Sequence, residues 1–310
     1  MGVAMLALAR YTLKGPYQAA GVVGLLAILT VVLPPLTGNL SVAVIMALIL
    51  TIVAAILVGL IILTQGMGSG LKVIAVSMVG ITLVTWALLD SPRQAITIAI
   101  IYWLPIMALA QALRSTNSLA MMLIAGIGLG LAGVVLQQLS WPNLESMWIA
   151  HFKPPDGEEL AQETMVQVEQ VVGVLMLLTL PSLYLMTTLV IMAARWTQSK
   201  LGDSAGFGAE FQALQFGRPI ALGAMVAVLA SFWLQQFWMM SLAFMLIIAF
   251  MYQGVAVVHN RMAKKKLPTA LFVMFYLAMI MFSQFTVILT SITGVIDNWL
   301  DLRSLNKQAN

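Results

Sequence analysis

Apolar runs of about span length dominate the pattern along this chain, separated by short polar or glycine-containing breaks. A helix needs roughly 20 apolar residues to cross about 30 Å of hydrocarbon, so each run predicts a membrane span. Nine are legible: Tyr17–Pro35, Leu40–Leu63, Val73–Leu89, Ala95–Ala112, Leu119–Leu139, Val168–Ala194, Pro219–Leu234, Trp238–Val258 and Pro268–Gly294. The last run holds 27 residues, about 40 Å of helix. No proline or glycine interrupts its middle, so it reads as one tilted helix; two short helices breaking near Ser283-Gln284 are the alternative. Two polar stretches punctuate the series, at 140–167 and 195–218. The pattern predicts an all-α polytopic transmembrane bundle of about nine spans, within a range of eight to ten. It forms a single integral membrane domain over residues 1–310.

Charge then gives the pattern a direction. With the N-terminus in the cytoplasm, the inside segments hold eleven Lys and Arg residues: Arg10, Lys14, Lys72, Arg114, Arg195, Lys200, Arg218, Arg261 and Lys264–Lys266. The outside loops hold two, Arg93 and Lys153. Basic residues favour the cytoplasmic side, so 140–167 is an outer loop and 195–218 an inner one. Nine spans send the tail, with Arg303 and Lys307, outside; a tenth crossing or a re-entrant final hairpin returns it. The first run is span-length and ends in Pro34-Pro35 without a small-x-small cleavage pattern, so it reads as a retained span, not a signal peptide. Leu6 stands where a myristoylation signal needs Ser or Thr.

Composition agrees and narrows the chemistry. Hydrophobic residues make up 61% and charged residues 8%, against about 25% charged in a soluble domain. There is no cysteine, so disulfides and thiolate metal sites are excluded. The net charge is only +4, so the basic isoelectric point reflects scarce charges and does not point to nucleic acid.

Candidate chemistry is sparse. Glu145, Asp156, Glu158, Glu159, Glu163 and Glu169 crowd the outer loop, but without the alternating ligands of an EF-hand. They read as a solvated amphipathic lead-in to the sixth span, not as a metal site. Arg261 and Lys264–Lys266 flank the eighth span, where such a cluster fixes topology and attracts anionic lipid. Gly126 and Gly130 form a small-xxx-small pair in the fifth span, and Ala20 and Gly24 stand in the same relation in the first. Such pairs let helices approach closely; packing inside the bundle and a docking face for another subunit are the two readings. The spans contain no Asp, Glu, Lys or Arg well inside them, which disfavours proton pumps and ion-coupled carriers. Neutral amides take their place: Gln111, Gln137, Gln138, Gln235, Gln236, Gln253 and Gln284. Neither a nucleotide loop nor a catalytic set is present. The chain is expected to be no enzyme and to hold no cofactor.

Two stretches carry a resemblance. One runs from Gly206 to Pro219 and contains Phe207, Glu210, Phe211, Phe216 and Arg218. The other, Gly294 to Arg303, contains Asp297, Trp299 and Asp301. Together they resemble the YybS-like family of bacterial membrane proteins of unknown function, although the closing motif has an extra residue between its two acids. That family is distantly similar to the substrate-binding membrane subunits of energy-coupling-factor transporters, from which nine spans depart. The resemblance implies a multi-pass protein of the bacterial cytoplasmic (inner) membrane. It also directs attention to a candidate cytoplasmic or interfacial polar cluster of Glu210, Arg218, Asp297, Asp301 and Arg303.

Two functions compete. One is a transport protein, or the membrane subunit of a transporter, for a small neutral or amphipathic solute. The other is a scaffold or assembly factor that binds a protein partner through its cytoplasmic loop and tail. Membrane lipids are the partners common to both. Transport requires a pocket between helices; scaffolding does not.

Overall fold

A computed structural model describes residues 2–152, 162–202 and 206–304. Lys153, Asp156, Glu158 and Glu159 of the outer loop, and Lys307 of the tail, lie outside the described residues. Fourteen α-helices and no strand occur among the described residues. Seven helices are long and apolar enough to cross a membrane, and a bent pair makes up to eight. The 17-residue apolar helix Arg218–Leu234 is a further candidate. The all-helical, multi-span architecture is that of the hydropathy pattern.

The chain divides into two compact units. The first, Met1–Ala125 with Met186–Phe211, contains α1 (Gly2–Thr12), α2 (Pro16–Leu36), α3 (Leu40–Gln65), α4 (Met67–Leu89), α5 (Arg93–Thr97) and α6 (Leu104–Thr116). The second is Gly126–Leu185 with Gln212–Asn310. Helices α7 (Leu119–Ser140) and α9 (Gln162–Leu201) each contribute to both. The second unit also contains α8 (Leu144–His151), α11 (Arg218–Leu234), α12 (Phe237–Lys264), α13 (Thr269–Met281) and α14 (Ser283–Leu300). Short α10 (Phe207–Gln212) follows α9, which runs to Leu201, so the polar stretch 195–218 contains helical segments.

Local chemistry sets most helix ends. Asn39 caps α3 by accepting a hydrogen bond from the Val42 amide at 3.1 Å, the ordinary N-cap geometry. Gly66, at φ 95°, breaks α3 from α4 in a backbone conformation that side-chain-bearing residues avoid. The fourth expected span is not uniform: a π-helical turn, Ile98–Trp103, joins α5 to α6. Pro105 explains it. Proline has no N–H to offer four residues back and its ring crowds that carbonyl, so the backbone widens before restarting at Leu104.

In the first unit, one end collects the basic residues. Gln65 Nε2 donates to the Leu13 carbonyl at 3.2 Å. Arg114 Nη1 donates to the carbonyls of Ile62 and Leu63 at 3.1 and 2.9 Å. Gln198 Nε2 donates to the Leu63 carbonyl at 3.3 Å. These bonds bring Lys14, Arg114 and Arg195 to the end that the charge bias assigns to the cytoplasm. Ala20 and Gly24 are both buried. Ser77 Oγ donates to the Ala20 carbonyl at 3.1 Å, and a Cβ on Gly24 would lie 3.5 Å from Ser77 Cα. The small residues of α2 therefore pack against α4 inside the unit.

The expectation of one tilted ninth helix is corrected. The segment breaks at Phe282, and α13 and α14 are bent by 117°. No local breaker causes this; packing does. Ser291 Oγ donates to the Ile247 carbonyl at 2.6 Å, and Gln253 Nε2 to Asp297 Oδ2 at 3.0 Å. Both pairs are 44 residues apart, so α12 and α14 run parallel. A parallel pair requires the chain between to come back, which α13 does. At the crossing, a Cβ on Gly254 would strike the Thr290 backbone, and one on Gly294 the Phe250 carbonyl. Glycine on both helices permits this approach. The tail consequently returns to the end where α12 finishes.

Candidate functional site

The candidate cluster is built at that end of the second unit. Gly217, at φ 87°, turns the chain into α11, with Pro219 in the first helical turn, a position where its missing N–H costs nothing. The turn's amides are held by two side chains. Phe216 N–H donates to Gln253 Oε1 at 3.2 Å. Gly217 N–H donates to Asn298 Oδ1 at 2.8 Å. Asn298 Nδ2 is itself directed by the Gly294 carbonyl at 2.9 Å.

Asp297 lies at the centre and is fully buried. Its Oδ2 accepts from Gln253 Nε2 and stands 3.0 Å from Arg303 Nη2. Arg303 also donates to the carbonyls of Gln212 and Leu214. A buried carboxylate is costly unless paired and hydrogen-bonded; here a guanidinium and an amide both engage Oδ2, while Oδ1 and Arg303 Nε have no hydrogen-bond partner among the described residues. The left-handed turn at Asp301, φ 41°, closes α14 and lets Arg303 fold back onto the helix. Asp301 itself is exposed. Lys264 Nζ donates to the Arg303 carbonyl at 2.8 Å.

The remaining expected members are placed differently. Arg218 is exposed, and its Nε donates to the Asn298 carbonyl at 3.2 Å, not to an aspartate. Glu210 belongs to the first unit and pairs with Arg195 at 2.8 Å, which Gln198 Oε1 joins at 2.7 Å. Phe211 and Phe216 are buried; Phe216 packs on Phe250 with ring centroids 4.9 Å apart. Gly126 is buried, and a Cβ on Gly130 would meet the flexible end of Met245.

Sequence reasoning did not single out Gln253 and Asn298. Gln253 was one of seven scattered amides, and only its pairing with α14 distinguishes it. Helix α14 extends to Leu300, past the expected end of the last span at Gly294, and the buried Asp297 belongs to its final turn. This arrangement is a lock on a turn. It offers neither a nucleophile and base nor, among the described residues, a group of metal ligands.

Residues 150–298 match the model of a family described as "Predicted membrane protein (DUF2232)". The match supports a family of uncharacterised membrane proteins and covers the stretch from the end of α8 to the Asp297–Asn298 pair. Comparison with curated proteins and with solved structures gives no significant match.

Proposed function

We propose that this multi-pass protein is the membrane component of a transport system for an amphipathic solute, and that it is not an enzyme. One observation carries the reading. Helices α11, α12 and α14 border a groove of 510 Å³ lined by apolar side chains including Met225, Leu229, Phe232, Phe250, Ile292 and Ile296. Its volume lies within the usual range for small-molecule sites, about 300–1,000 Å³. The hydroxyl in its wall, on Ser291, is already committed to the Ile247 carbonyl. Nothing there is left to recognise a neutral polar solute, whereas an acyl or other apolar moiety fits. The broken α13–α14 pair supports the same reading, because discontinuous helices are common beside carrier sites. Without a nucleotide loop, the energy source is a partner protein or a gradient. The bacterial inner membrane is the location that goes with this proposal.

The test is translocation of a fluorescent acyl-chain lipid across proteoliposomes, read by accessibility to an impermeant quencher. The wild-type chain should exceed protein-free vesicles. Val228→Trp, which fills the groove, should return the rate to that baseline. A wild-type rate equal to protein-free vesicles would overturn the proposal and leave the scaffold reading.

A further inference from the structure

The C-terminal end of α12 and the turn after it carry Arg261, Lys264, Lys265 and Lys266, four cations within six residues. Among the described residues none of them has a carboxylate within salt-bridge range. Lys264 is engaged by a backbone carbonyl, that of Arg303. Arg261 and Lys265 instead line a pocket of 360 Å³, whose remaining wall includes Val257, Val258, Leu267 and Leu302. The span-length helix α12 ends at Lys264, and a run of cations at the end of a span suits the membrane surface.

Two unneutralised cations over an apolar floor match an amphiphile with an anionic head. A guanidinium offers paired N–H donors to phosphate oxygens and an ammonium adds a point charge. Free phosphate would use the cations and gain nothing from Val257, Val258 and Leu302. Basic pockets between spans at the membrane surface suit phospholipid headgroups. We propose that this pocket binds one anionic phospholipid, with its phosphate between Arg261 and Lys265 and its first acyl carbons on the apolar wall. The site is independent of the groove between α11, α12 and α14. Its occupant touches α12, the following turn, α14 and the C-terminal turn, because Leu267, Thr293 and Leu302 share the wall.

The experiment measures thermal unfolding of the full chain in phosphatidylcholine nanodiscs, with and without added phosphatidylglycerol. Phosphatidylglycerol should raise the melting temperature of the wild type and of Lys264→Gln/Lys266→Gln. The rise should vanish in Arg261→Gln/Lys265→Gln, which removes the same charge. Thr293→Trp keeps every cation but occupies the pocket, and should also lose the rise; it serves if the double variant folds poorly. Equal responses in the two double variants would reduce the cluster to diffuse surface attraction and overturn the site. A full response in Thr293→Trp, no response in wild type, or the same rise from inorganic phosphate in pure phosphatidylcholine would overturn it as well.

Discussion

Arg303 Nη2 stands 3.0 Å from Asp297 Oδ2, and the aspartate is wholly buried while the arginine side chain is 12% exposed. The pair joins the last turns of α14 to the segment leading into α11, since Arg303 also binds the Gln212 and Leu214 carbonyls. Removing one partner strands the other charge, at a cost of about 3–5 kcal/mol. Asp297→Ala and Arg303→Ala should each lower unfolding stability in detergent by that order. The double variant should lose less than the sum, as contacting residues do. Additive losses would mean that the two charges act separately.

Gln253→Leu tests the second link. It removes the bonds to the Phe216 amide and to Asp297, leaving the buried Phe216 N–H without an acceptor at about 1–3 kcal/mol and Asp297 Oδ2 with Arg303 alone. The predicted sign is destabilisation even though leucine is the more apolar residue. Unchanged or raised stability in a denaturant titration would contradict the assigned network.

Glycine positions should differ sharply. Gly254→Ala and Gly294→Ala push a Cβ into the backbone of the opposing helix, which has to move as a body. Overpacking typically costs about 1–3 kcal/mol, and a backbone clash belongs at or beyond the upper end. Gly130→Ala meets only the mobile end of Met245 and should cost well under that. Melting temperatures of the three variants in one detergent decide the order.

Topology is open to cysteine labelling, since the native chain has no cysteine. The Lys264–Arg303 bond places Lys266→Cys and Ser304→Cys on one side, so both should be protected from an impermeant thiol reagent in intact cells. Asn143→Cys should label. Labelling of Ser304→Cys with protection of Lys266→Cys would restore a straight ninth span.

The residue pattern alone determined the helical class, the approximate span count and the bias of basic residues to alternate breaks between the spans. These follow from composition and from runs about 20 residues long, because a bilayer leaves the backbone few alternatives to helix. The resemblance also pointed to Asp297 and Arg303. The tertiary structure decided what each residue touches. The break at Phe282 has no proline or glycine behind it; it exists because Ser291, Gly294 and Asp297 pack onto α12 at a fixed offset. Gln253 became a ligand of Asp297 for the same reason, and Glu210 was drawn instead to Arg195. Helix period and hydropathy report the lipid-facing requirement, which every span shares. Which spans meet, in which direction and at which register is set by small residues and hydrogen-bond partners distant in sequence.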